Sequence, residues 1–138
     1  MAETVVIDAS VAAKWFLLEE NWEAAEALQK SGGHLVAPDL VLAEVLNTYW
    51  KYVEKGSKPD LSIREVAALL LRSFGELIST IELASFAAEI AIDLHHPIYD
   101  CFYLALAERE RCALVTADDR LYRKTRRTRF SRTVQKLA

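Results

Sequence analysis

The chain has 138 residues, 52% apolar and 27% charged, which is enough for one globular domain over 1–138 to bury a core without disulfide staples. Its net charge of −3 hides an asymmetry: residues 120–138 hold eight basic side chains and no acid, while the rest of the chain holds nine basic and twenty acidic ones, so the basic segment is either a solvated terminus or a contact for a polyanion. Cys101 and Cys112 lack metal-ligand or C-x-x-C spacing, the opening Met1-Ala2-Glu3-Thr4 lacks a basic-then-apolar leader, and no apolar run nears the roughly 20 residues of a membrane span, a combination that predicts free thiols in a cytoplasmic protein.

Thr4-Val5-Val6-Ile7 is a short β-branched run that predicts a buried parallel strand ending at Asp8. Ser10 stands before Val11–Leu18 as a helix cap, and a second short helix is expected from Trp22 to Lys30, stopped by Gly32-Gly33. Leu35-Val36-Ala37 reads as a strand ended by Pro38. A helix over Asp39–Lys55 follows, with Leu40, Val41, Val45 and Leu46 at helical spacing. Ser62 with Glu65 three residues on is a capping box for the next helix. Ser79-Thr80-Ile81-Glu82 is expected as a third strand, Phe86–Leu94 as a helix, and Asp100–Glu110 as another beyond the break at Pro97. Ala113-Leu114-Val115-Thr116 reads as the fourth strand, Leu121–Thr125 as a helical turn, and Phe130 as part of a last short strand. The alternation predicts a three-layer α/β/α sandwich with a mainly parallel sheet, whose ligands lie at the carboxyl ends of its strands.

Asp8 and Asp118 follow predicted strands directly and should project at one edge of the sheet. Glu44 lies about one and a half turns into its helix, with Asn47 on the same face. Asp100 opens its helix. Each acid alone has an ordinary explanation as a turn residue, a helix cap or a solvated side chain. Their apolar frame favours more: Glu44 sits between Leu42-Ala43 and Val45-Leu46, and Asp100 precedes Cys101–Ala105. Acids embedded in such runs are partly buried, which is costly without a partner. Two carboxylates 4 Å apart repel by roughly 4 kcal/mol at an effective dielectric of 20. Apart from Arg120, no lysine or arginine adjoins these acids in sequence. The natural counter-charge for such an all-oxygen set is Mg²⁺ or Mn²⁺. His34, His95 and His96 show no zinc pattern and are assigned structural or surface roles.

The segments Val5-Val6-Ile7-Asp8-Ala9-Ser10, Val36-Ala37-Pro38 with Leu42-Ala43-Glu44-Val45, Tyr99-Asp100 with Tyr103–Ala107, and Leu114–Asp118 with Leu121 together resemble the PIN-domain endoribonucleases, specifically the VapC-type toxins of toxin–antitoxin pairs. The resemblance spans nearly the whole chain in the family's order and spacing. It implies that Asp8, Glu44, Asp100 and Asp118 bind the metal, that Ser10 and Thr116 support them, and that Asp119 either joins them or caps the next turn. It further implies an RNA substrate, an antitoxin partner and a homodimer. Lys14, Arg120, Arg123 and Lys124 are the candidate RNA contacts, since an acidic pocket repels phosphate. Trp15, Phe16, Trp22, Trp50 and Tyr52 are either core or an apolar groove for a partner segment. Two other classes compete: a phosphoacceptor or phosphatase, which would want a lysine after Leu114-Val115-Thr116, and a non-enzymatic binding module whose acids are caps.

Overall fold

The computed structural model describes residues 3–138; Met1 and Ala2, part of the segment inspected for a leader, lie outside the described residues. The chain runs β1 (Thr4–Ile7), α1 (Ala9–Ala12) continuing into a 3-10 turn (Ala13–Trp15), α2 (Trp22–Gln29), β2 (His34–Pro38), α3 (Leu40–Glu54), α4 (Ile63–Ser73), β3 (Glu76–Ile78), α5 (Thr80–Leu94), α6 (Ile98–Glu110), β4 (Ala113–Thr116), α7 (Asp119–Thr125) and β5 (Val134–Lys136). All five strands are parallel, in the order β3-β2-β1-β4-β5.

That order places a topological switch between β1 and β4. From β1 the chain moves outward through β2 to β3, then returns across the sheet to β4 and moves outward again to β5. Right-handed crossovers then put α1–α4 on one face and α5–α7 on the other. Ligand crevices in such sheets open beyond the carboxyl ends of the strands that flank the switch. Val6 pairs with Val36 on one side and Leu114 on the other, so β1 is central, and Val6 and Ile7 are fully buried. A β-branched run suits a strand covered on both faces.

Leu104, Leu106, Cys101 and Tyr103 of α6 enter the core from one layer, and Val11, Val41 and Val45 of α1 and α3 from the other. The capping box forms as read: the Ser62 hydroxyl accepts from Glu65 N, and the Glu65 carboxylate accepts from Ser62 N. Gly75 lets the His34 ring lie directly against the backbone, where a Cβ would force that partly exposed ring to shift.

Several expectations need correction. Asp8 rather than Ser10 caps the first helix, because the Asp8 carboxylate accepts from Val11 N, and the helical stretch ends at Trp15 rather than Leu18. The third strand is Glu76–Ile78 rather than 79–82, because the Ser79 hydroxyl accepts from Ile81 N and starts α5 at Thr80. Asp100 does not open α6; Pro97 occupies the cap, and Asp100 lies inside the first turn. The basic segment is not a frayed terminus. Phe130 precedes rather than occupies β5, and Phe130, Val134 and Leu137 are buried, with Leu137 N donating to Thr116 O.

Candidate active site

Asp8 leaves β1 at its carboxyl end and caps α1, its Oδ1 accepting from Val11 N at 3.2 Å and from the Ser10 hydroxyl at 2.6 Å. Its other oxygen accepts from the Thr116 hydroxyl at the end of β4. Ser10 and Thr116 are themselves fixed: Ser10 Oγ accepts from Ala117 N at 2.9 Å, and Thr116 Oγ1 accepts from Asp118 N at 3.0 Å. Asp8 is thus held across the β1/β4 switch by two hydroxyls. Its side chain is buried, the whole residue being 3% exposed, and burial pushes its carboxyl up to about 7 despite those hydrogen bonds, with the Asp100 charge adding to the rise.

Glu44 on α3 and Tyr103 on α6 approach from opposite faces of the sheet. The Tyr103 hydroxyl donates to Glu44 Oε1 at 2.6 Å. Burial raises the Glu44 carboxyl above its ordinary value, against the Tyr103 hydrogen bond, and Asp100 raises it further. Burial and then the Glu44 charge hold the Tyr103 phenol well above its usual range, so it stays a donor. Asp100 Oδ2 contacts His96 Nε2 at 2.6 Å. Asp118 caps α7, accepting from Arg120 N at 2.8 Å. For Asp8 and Asp118 the capping role and the pocket position therefore coexist.

Asp8, Ser10, Lys14, Glu44, Asp100 and Asp118 all line one pocket of about 500 Å³, together with Glu19, Asn47, Lys51 and Tyr103. Among the described residues, no lysine or arginine forms an ion pair with any of the four acids. As the side chains stand, no three acidic, histidine or cysteine groups among the described residues converge into a finished metal cage. Each acid instead faces a donor of the protein. A hard divalent cation fits this set in kind: the donors are carboxylate oxygens, two of them are raised by burial and mutual repulsion, and their counter-charge is missing. Tyr103 and His96 engage one oxygen each, Glu44 Oε1 and Asp100 Oδ2, which leaves the second oxygen of each carboxylate for an ion.

Other sequence expectations fall elsewhere. Asp119 does not line the pocket; its carboxylate pairs with Lys136 of β5. Arg120, Arg123 and Lys124 line a separate groove with His95, His96 and Pro97, and of the four proposed RNA contacts Lys14 alone reaches the acidic pocket. Its ammonium donates to Glu20 O at 2.6 Å. Among the aromatics, Trp15 packs on Phe74 at 5.4 Å with its indole N–H on Ala25 O, and Trp50 is half exposed. His96 was assigned no site role from sequence, yet its side chain is 6% exposed against Asp100. Tyr103 and Lys51 were likewise unassigned. Helical spacing carried a signal for both, since Tyr103 is three residues after Asp100 and Lys51 seven after Glu44.

An open α/β sheet with an acidic, all-oxygen pocket at its switch point defines the class, and the profile of the PIN domain matches residues 5–127. The chain belongs to the PIN-domain family. It is 32% identical over 126 residues to Ribonuclease VapC3 of Pyrobaculum aerophilum, covering 87% of this chain and 93% of that protein. Its fold matches the crystal structure of PAE2754 from Pyrobaculum aerophilum with a TM-score of 0.73 at 23% identity, over 99% of this chain and 92% of that one. No helix among the described residues is long and apolar enough to cross a membrane.

Proposed function

We propose that this protein is a metal-dependent endoribonuclease that hydrolyses RNA phosphodiester bonds, the toxin of a VapBC-type toxin–antitoxin pair. The observation that carries the reading is the set of four acids lining one pocket at the β1/β4 switch, none of them in an ion pair with a lysine or arginine among the described residues, with Asp8 buried. Membership of the PIN-domain family and the likeness to a ribonuclease support the same reaction class. Residues 1–138 form one domain in this reading, with the basic segment built into its sheet. The cytoplasm, an antitoxin partner and a homodimer belong to the reading as well.

Asp8, Glu44, Asp100 and Asp118 hold Mg²⁺ or Mn²⁺. The ion supplies Lewis acidity that activates water and balances charge building on the phosphate. Ser10 and Thr116 fix the Asp8 carboxylate, and the Asp8 cap on Val11 N fixes the turn beneath it. Tyr103 holds Glu44 from the opposite layer, which keeps that acid at the rim when the metal is exchanged. Lys14 and Lys51 at the pocket wall offset the repulsion between the acids and the phosphates.

Purified protein, freed of any antitoxin, is incubated with single-stranded RNA in Mn²⁺, in Mg²⁺ and in EDTA. Cleavage in either metal, abolished by EDTA and reduced at least about a hundredfold in Asp100→Asn, is expected. Equal cleavage in EDTA, or by Asp100→Asn, contradicts the proposal.

A further inference from the structure

The eight cations of residues 120–138 divide into two kinds. Three are engaged in the fold: Arg126 donates to Val134 O and lies over the Tyr122 ring, Arg129 pairs with Glu108, and Lys136 pairs with Asp119. The other five, Arg120, Arg123, Lys124, Arg127 and Arg132, are exposed and form no ion pair among the described residues, and Arg123 Nε donates only to Asp119 O of its own helix at 3.3 Å. Of these, Arg120, Arg123 and Lys124 fall on one groove of about 410 Å³, which they line together with His95, His96 and Pro97. No acid lines it.

The position of the groove is as informative as its charge. His96 lines the groove and contacts Asp100, which lines the acidic pocket. On the other side α7 begins at Asp118, another pocket acid, and carries Arg120 and Arg123 outward from it. Pocket and groove are therefore adjacent, joined along the His96–Asp100 contact. The groove is firmly based, because Leu121 and Thr125 anchor α7 in the core and the Thr125 hydroxyl donates to Leu121 O.

We infer that this groove seats the sugar–phosphate backbone of single-stranded RNA next to the scissile bond, with Arg120, Arg123 and Lys124 as the phosphate contacts. The inference rests on the ribonuclease reading of the acidic pocket. An acid-lined site repels the polyanion it must cut, so binding energy has to come from cations beside it. Among the described residues the lining holds no Phe, Tyr or Trp ring, its rings being the imidazoles of His95 and His96. Contacts to phosphate fix affinity and register without reading bases, so the three cations contribute no base preference.

The test uses the full chain with a short fluorescein-labelled single-stranded RNA, held uncut in EDTA, and follows anisotropy against NaCl concentration. The triple variant Arg120→Gln, Arg123→Gln, Lys124→Gln removes the three contacts. Lys124→Glu alone is the second variant, and Arg127→Gln, which lies outside the groove, is the control. At about 0.7 per phosphate, loss of three contacts makes the slope of log K against log salt shallower by about 2. In Mn²⁺ the triple variant is expected to raise KM about tenfold or more, with kcat within about threefold of the parent. Lys124→Glu shifts both in the same direction by less, and Arg127→Gln shifts neither. Single-stranded DNA of the same sequence shows the same change of slope, since phosphates are read. Thermal melts of the variants within about 3 °C of the parent establish that the fold is intact. An unchanged slope and KM in the triple variant overturns the groove, even when the parent cleaves RNA. A parent that cuts no RNA in either metal overturns the ribonuclease reading, while the EDTA binding data still decide the groove.

Discussion

His96 Nε2 lies 2.6 Å from Asp100 Oδ2, with the histidine side chain only 6% exposed and the acid 27% exposed. The contact closes a loop around Pro97, which caps α6, so the ring reaches the acid from just outside the helix. A ring so placed fixes the orientation of the carboxylate rather than meeting the reacting atoms. Such outer partners of metal-binding carboxylates typically change metal affinity 10–100-fold when removed. His96→Ala is expected to weaken Mn²⁺ binding by about that factor in calorimetry. His96→Gln, which keeps a donor, recovers part of the loss. Equal Mn²⁺ affinity in His96→Ala and the parent would assign the ring a packing role alone.

Tyr103 links the two helical layers through Glu44. Tyr103→Phe keeps the ring and removes one hydrogen bond to a charged acceptor, a contact worth about 1.5–3 kcal/mol. Urea unfolding should show a loss toward the lower end of that range, because Glu44 can re-solvate at the pocket. The kcat/KM for RNA should fall about tenfold with the metal still bound. A variant with full activity would remove Tyr103 from the positioning of Glu44.

The Asp8 carboxyl gives the metal-free protein a defined dependence on pH. Its folded-state value of about 7 lies above the ordinary 3.8. Below 3.8 both states hold the proton and Asp8 has no effect on stability. Between 3.8 and 7 the unfolded chain releases the proton while the folded chain keeps it, so its contribution falls as pH rises, and above 7 the whole cost remains. Chemical denaturation in EDTA should show this decline between pH 4 and 7, flattened in Asp8→Asn. Added Mn²⁺, which competes with that proton, should stabilise the parent more at pH 8 than at pH 5. Equal stabilisation at both values would separate Asp8 from the metal.

The carboxyl-terminal strand makes deletion of the basic segment unsuitable for studying RNA contacts. Phe130 is 1% exposed and Val134 pairs with Leu114 of β4. Phe130→Ala is expected to cost about 3–5 kcal/mol in urea unfolding. A loss below about 1 kcal/mol would mean that β5 is not part of the cooperative fold.

Much of the fold was legible because β1, β2 and β4 are compact β-branched or apolar runs closed by Asp8, Pro38 and the Thr116-Ala117-Asp118 turn. β3 was misplaced by local propensity. Thr80-Ile81 is a β-branched pair, but the Ser79 hydroxyl accepts from Ile81 N and the Asp39 carboxylate from Thr80 N, which starts α5 there, and the strand falls on Glu76-Leu77-Ile78 before it. β5 was hidden by its charged surroundings, since only Val134 of its three residues is buried. The four acids could be assembled from sequence because each follows a strand end or interrupts an apolar helical run. His96 could not, because it stands before the helix cap, where i, i+4 spacing carries no geometric meaning until Pro97 turns the chain. Asp119, adjacent to Asp118, faces Lys136 because successive residues on a helix point about 100° apart.

Crystals of the protein soaked in Mn²⁺ and measured at the manganese absorption edge locate the ion without reference to activity. An anomalous peak ligated by Asp8 and Asp100, with Glu44 or Asp118 in reach, is the expected result. A pocket free of anomalous signal at saturating Mn²⁺, or a peak bound only at some other surface, would contradict the assignment of these acids as a metal centre.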